Sequence, residues 1–268
     1  MTRIRRNLVL ILTLPLAALV AVASLGGLLS PNVYAQESSD WTAQAVAQDA
    51  VDLFLVVPIL TIASLFVFRQ ERLAEPVWGG SLLYLIYTFI IYGFSVHFNV
   101  LFLVYIAVLG LSAYGFIYFM ILQHHQPAIK GLIDQRPAKV IGIYFLVIAV
   151  LFYGLWLAEI IPANVGGYTP ATVETAGLFT NPVQVIDLAF FLPGIFIIGI
   201  LLLRQHRLGM ILTPVLLVFF VLMDITITVI LVVQYTRLGT INPVVMIIMS
   251  TLAVVSGTML TWLLKKSY

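Results

Sequence analysis

Cysteine is absent from all 268 residues. That excludes disulfides, Cys-ligated zinc and iron–sulfur clusters. Charge is scarce as well, at 9% of residues, against about 25% in a soluble domain. Hydrophobic residues make up 62% of the chain, so it belongs to the integral membrane proteins. Histidine occurs four times, at His97, His124, His125 and His206, and never deep inside an apolar run. Paired axial ligands for a transmembrane haem are therefore missing. His124 and His125 are adjacent, so on a helix they point in different directions and no metal site is expected. HExxH, GxSxG, Walker and Rossmann glycine patterns are missing too. The last apolar run has no lysine at its middle, which argues against a retinal protein should the first span be cleaved. No metal, cofactor or nucleic acid is expected.

What the chain has in quantity is long apolar runs. Eight span candidates lie at about 8–30, 50–68, 77–97, 99–122, 140–161, 183–203, 209–234 and 243–264. Each approaches the ~20 residues that an α-helix needs to cross a bilayer. None alternates with period two, so helices are expected rather than outer-membrane strands. The expected fold is an all-α transmembrane bundle of eight helices in a single domain.

Lysine and arginine orient it. With the N-terminus placed inside, the inner segments hold Arg3, Arg5, Arg6, Arg69, Arg72, Lys130, Arg136, Lys139, Arg204, Arg207, Lys265 and Lys266, and the outer segments hold Arg237. Twelve against one is a positive-inside signal. It places both termini on the inner, cytoplasmic side. The first 35 residues also read as a cleavable signal peptide ending at Ala35. Their apolar run of about 23 residues is long for a signal core of about 7–15, so a retained helix is favoured. Pro31 to Asp49 and Ala163 to Asn181 are expected as polar outer loops. The inner loop, about 123–139, has the pattern of a short interfacial helix carrying Ile129, Leu132 and Ile133.

Two stretches repeat. VDLFLVVPILTIASLFVFRQERL (Val51 to Leu73) and IDLAFFLPGIFIIGILLLRQHRL (Ile186 to Leu208) align without gaps at an offset of 135 residues. Asp52 meets Asp187, Pro58 meets Pro193, and Arg69 and Arg72 meet Arg204 and Arg207. The expected cause is a duplication of four spans, with one repeat over about 1–125 and the other over about 139–268. Four is even, so the repeats run parallel. The four arginines read as topology anchors. The two prolines read as helix kinks that free the carbonyls of Phe54 and Ala189. Matched, proline-interrupted spans point to a transporter-type site, but neighbouring Ser or Thr can also satisfy such kinks.

Acids inside the bilayer supply the candidate site. Asp224 lies about ten residues from the outer end of its span, roughly 15 Å deep at 1.5 Å per residue. An aspartate there costs about 2.5–3.5 kcal/mol on insertion scales and needs protein or water around it. Thr228 follows on the same face. Asp187 sits near a helix start at Asn181-Pro182, where the helix dipole favours its charge. Glu159, Asp52 and His97 lie toward the same outer side. If these groups converge, they line an outward-facing polar cavity that binds a solute or ion. Ser81, Tyr84, Thr88 and Ser95 form a stripe that either lines it or bonds helix to helix. Ala253, Gly257 and Thr261 read as a close-packing stripe.

The runs FIIYGFSVHFNVLFLVYIAVLGLSAY, LWLAEIIPA and TNPVQVIDLAFFLPGIFIIGILLLRQHRLG, followed by LTPVLLVFFVLM, resemble a widespread family of uncharacterised bacterial multi-pass membrane proteins. The resemblance covers most of the chain, including Pro31 to Tyr34. It implies the fold and the location, favours a retained first helix, and brings no catalytic residue. Three functional classes stay open. One is a small-solute or ion transporter. Another is an accessory subunit whose acids pair with a membrane partner. The last is an enzyme acting on lipid or quinone through Glu159, Asp187 and His97.

Overall fold

The computed structural model describes residues 3–124, 133–239 and 243–267, with side chains for 7–124, 133–239 and 243–265. Eight of its helices are long and apolar enough to cross a membrane, and no strand occurs among the described residues. The chain is a multi-pass, all-α membrane protein. Its elements are α1 (Arg3–Leu29), α2 (Ser39–Phe68), α3 (Ala74–Ser95), α4 (Phe102–His124), α5 (Gln135–Gly166), the short α6 (Ala171–Ala176), α7 (Pro182–Leu203), α8 (Arg207–Leu238) and α9 (Pro243–Ser267). Ile129 and Leu132 of the expected interfacial helix lie outside the described residues, and Ile133 is buried.

One end of the bundle carries Arg69, Arg72, Lys139, Arg204, Arg207 and Lys265 and is called the basic end below. The other carries Asp40, Glu159 and Asn181 and is called the acidic end. Arg69, Arg72 and Arg204 are exposed, as anchors should be. Arg207 does more: its guanidinium donates to the carbonyls of Gln123 (2.7 Å) and His124 (3.0 Å), covering the end of α4.

Three helices run well past the expected spans at the acidic end. α2 starts at Ser39 rather than near residue 50. Ser38 caps it, its Oγ accepting from the Trp41 amide at 3.1 Å, with Asp40 in the first turn. Much of the expected outer loop is thus helix. α5 and α8 each have 32 residues, about 48 Å at 1.5 Å per residue, longer than a ~30 Å hydrocarbon core. Gly167 and Gly177 end α5 and α6 in left-handed conformations, φ 68° and 70°. The Ser38 hydroxyl also donates to the Ala176 carbonyl at 2.9 Å, joining the two connections across this end. Replacing Ser38 by Ala removes cap and tether together. We expect a loss of about 1 kcal/mol and faster proteolysis between Gly167 and Gly177. Unchanged cleavage would mean that the tether does not hold α6.

The two look-alike stretches share an unusual backbone. Asp52–Val56 and Asp187–Phe191 are π-helical turns. The amides of Val57 and Leu192 reach back five residues to the carbonyls of Asp52 and Asp187. Pro58 and Pro193 each follow directly on such a turn within a continuous helix, so the widened turn falls where the missing N–H interrupts the α-helical bonding. Both segments end alike, with Gln70 (φ 70°) and Gln205 (φ 54°) in the left-handed region.

α3 and α8 pack together at the centre. Gly80 of α3 meets Val218 of α8 so closely that a Cβ there would stand 2.5 Å from the Val218 Cβ. Around this pair, α1 packs on α2 and α4, and α5 packs on α7. The two sides differ inside. Between α1, α2, α3 and α4 buried side chains pack against and bond one another. Tyr34 donates to Asp49 at 2.6 Å and Tyr92 donates to it at 3.0 Å, while Phe89, Tyr92 and Tyr105 pack ring on ring. Burial and the neighbouring Asp49 push the Tyr34 phenol far above its ordinary pKa, so it stays a donor. Gly27 of α1 lies against this pair, where a side chain would displace the Asp49 carboxylate. On the other side, α5 and α9 touch narrowly, through a Tyr144–Ser256 hydrogen bond of 2.8 Å. Toward the acidic end they stand apart. In α9 the buried residues are Met249, Ser256 and Leu263. That corrects the expected Ala253–Gly257–Thr261 stripe, because Thr261 is exposed and a Cβ on Gly257 would make only ordinary contact.

Candidate functional site

The gap between α5 and α9 is part of a cavity of about 830 Å³. Its floor is formed by Tyr144, Ile195, Phe219 and Phe220, and its mouth by Asp40, Glu159, Thr172 and Gln234. α2, α3, α5, α6, α7, α8 and α9 all contribute to the wall. The wall is mostly apolar and rich in aromatics, which is drier than the polar cavity expected. Phe191 stacks on Phe219 with centroids 4.7 Å apart, and Tyr87 meets both edge-on at 4.8 and 5.6 Å. Leu155 lines the cavity and is also 57% exposed, so the wall opens beside α5.

Three of the expected acids share this cavity: Glu159, Asp187 and Asp224. Asp187 begins the π-turn of α7. Tyr87 donates to its Oδ1 at 3.0 Å and Trp156 donates to its Oδ2 at 2.9 Å. Glu159 accepts from Thr172 and Gln184, each at 2.7 Å. Asp224 lies near the middle of α8 and is 7% exposed. Thr228 bonds its backbone carbonyl at 2.8 Å rather than its carboxylate. Among the described residues that carboxylate has no hydrogen-bond donor and no ion-pair partner.

Asp52 is placed differently. It is fully buried between α2, α3 and α8, off the cavity wall. Its Oδ1 accepts from Tyr84 and from Gln48, each at 3.0 Å, and its Oδ2 has no partner. Tyr84 also bonds Thr226 at 2.9 Å and accepts from Gln48 at 2.6 Å. Gln48 lines the cavity, so it connects the hidden acid to the wall. His97 does not join the others. Its Nδ1 pairs with Glu37 at 3.0 Å in the connections at the acidic end, and it is absent from the cavity lining. Glu159, Asp187 and His97 are thus not gathered into one acid–base set.

The α3 stripe divides. Thr88 lines the cavity, Tyr84 serves Asp52, and Ser81 bonds the Val77 carbonyl of its own helix at 2.9 Å. Several site residues were not legible in advance. Asp40 accepts from Gln44 and Gln234, both at 2.7 Å, and these belong to stretches read as loop and as helix end. Tyr87 and Trp156 look like ordinary membrane aromatics until their donors are seen to meet on Asp187. The cue that was present is Ser38 before Asp40, a helix start that puts Gln44, Gln48 and Asp52 on one face at i, i+4, i+8. No known family model, curated protein or solved structure matches the chain.

Proposed function

We propose that this chain is a transporter-like protein of the bacterial plasma membrane that binds a small solute in the cavity beside α8, with its basic end in the cytoplasm. One observation carries the reading. Two stretches of like sequence and like backbone have different surroundings, and the one that begins at Asp187 faces the cavity. Asp52 at the head of one π-turn is fully buried off the cavity wall, whereas Asp187 and Phe191 of the other line the hollow. π-turns in membrane helices commonly mark functional positions. A transporter needs one such adaptable segment at its site and a supporting body against which that segment moves. The equal π-turns, the following prolines and the left-handed Gln70 and Gln205 support a duplicated four-helix unit. Full burial of Val9, Leu16 and Val20 supports an α1 that stays with the bundle. The excess of basic residues at one end supports the orientation.

Access from alternating sides is the property to test, and the cysteine-free chain makes it simple. Single cysteines are placed at Gln234, at the mouth, and at Ile195, on the floor. Each is then treated with a membrane-impermeant maleimide from either side of oriented vesicles. Gln234→Cys is expected to react from the acidic side. Ile195→Cys is expected to react from the basic side as well, in a minor fraction of molecules. Complete silence of Ile195→Cys from the basic side would leave a fixed cavity, and transport would be abandoned for an accessory role.

A further inference from the structure

We infer that the cavity binds a hydrophobic organic cation; the inference rests on the cavity being a ligand site, as proposed above. Four carboxylates line it: Asp40, Glu159, Asp187 and Asp224. Every group that hydrogen-bonds them is neutral. Gln44 and Gln234 serve Asp40, Thr172 and Gln184 serve Glu159, and Tyr87 and Trp156 serve Asp187. Asp224 has none at all. Among the described residues, no lysine, arginine or histidine lines the cavity. The His97–Glu37 ion pair lies away from it. Buried charge is normally compensated. Among the described residues that compensation is missing, and the space for it is present.

The wall decides what kind of cation. Hydrated metal ions need several oxygen ligands at close range. Among the described residues no three His, Asp or Glu side chains stand close enough to form such a set. The carboxylates are spread from mouth to mid-depth instead, separated by Phe152, Trp156, Phe191, Phe219 and Phe220. Aromatic faces attract organic cations through the ring quadrupole, and more strongly when water is excluded. Anions are disfavoured by all four carboxylates. The opening beside Leu155 suits a ligand arriving from the apolar phase.

The test uses two ions of nearly equal size and opposite charge, tetraphenylphosphonium and tetraphenylborate. Binding of each to the full-length protein is measured by equilibrium dialysis in detergent, against protein-free micelles. We expect tetraphenylphosphonium to bind at least roughly tenfold more tightly than tetraphenylborate. Asp224→Asn and Asp187→Asn should each weaken it about tenfold or more, and Asp224→Glu should restore most of the binding. The restoring variant separates lost charge from lost folding. Equal binding of the two ions, or cation binding that ignores both substitutions, would overturn the inference. Cation binding together with an inert Ile195→Cys would keep the site and end the transport reading. Reactive Ile195→Cys without cation preference would do the reverse.

Discussion

Gly80→Leu is expected to abolish the folded bundle. A Cβ on Gly80 already falls 2.5 Å from the Val218 Cβ and 2.8 Å from the Val215 carbonyl oxygen. The second of these is backbone, so no rotamer change relieves it. Overpacking in a close-packed interior costs about 1–3 kcal/mol for added methylenes that side chains can partly accommodate. Here the helix axes themselves must separate, and they are the central pair against which both sides of the molecule pack. Membrane helices depend on such close approach, because burying apolar surface gains little within lipid. Gly110→Leu is the control, since nothing lies within 4 Å of a Cβ at that position. Thermal unfolding followed by size-exclusion chromatography reads both variants. A Gly80→Leu protein that elutes and melts like Gly110→Leu would show that α3 and α8 do not need contact at this point.

Tyr84→Phe should be the most damaging removal of a single oxygen. That hydroxyl bonds Asp52, Gln48 and Thr226 at once, with all of Asp52 buried. Loss of it leaves the Asp52 carboxylate with Gln48 alone. A buried group stripped of its partner costs about 1–3 kcal/mol, and more when charged. Tyr87→Phe is the matched comparison on the other side of the bundle. Asp187 there keeps Trp156 and faces a cavity that water can fill. We expect its destabilisation to be less than half as large, measured by unfolding in mixed micelles. If the two variants lose equal stability, the contrast between a sealed acid and a cavity acid is wrong.

How much of this was legible in the residues depends on the type of signal. The eight helices were, because a run of twenty apolar residues has few alternatives in water or lipid. The matched Asp and Pro positions were also visible. Their π-turns were not, because a widened turn depends on how the helix is packed as well as on its own residues. Helix ends at the acidic end were misjudged. There the chain leaves the hydrocarbon and polarity stops reporting secondary structure, so the α2 start depended on a single serine cap. Asp224 was found by the cost of burying charge, Asp187 and Glu159 by their places near outer helix ends, and the three share a cavity. His97 was chosen for its place in an outer turn, and it pairs with Glu37 instead. Asp52 was singled out by its resemblance to Asp187, but its surroundings are of the opposite kind. Like sequence gave like backbone without giving like surroundings.

That difference between the two sides has an evolutionary consequence. In a saturating library of variants, abundance and activity should come apart along the chain. Changes around Tyr34, Asp49 and Tyr92 should deplete the protein from the membrane. Changes around Tyr87, Trp156 and Asp224 should leave its amount intact and alter what it handles. On the proposed function, the surroundings of one look-alike stretch would then be held constant by selection for folding, while those of the other stay free to vary with the ligand.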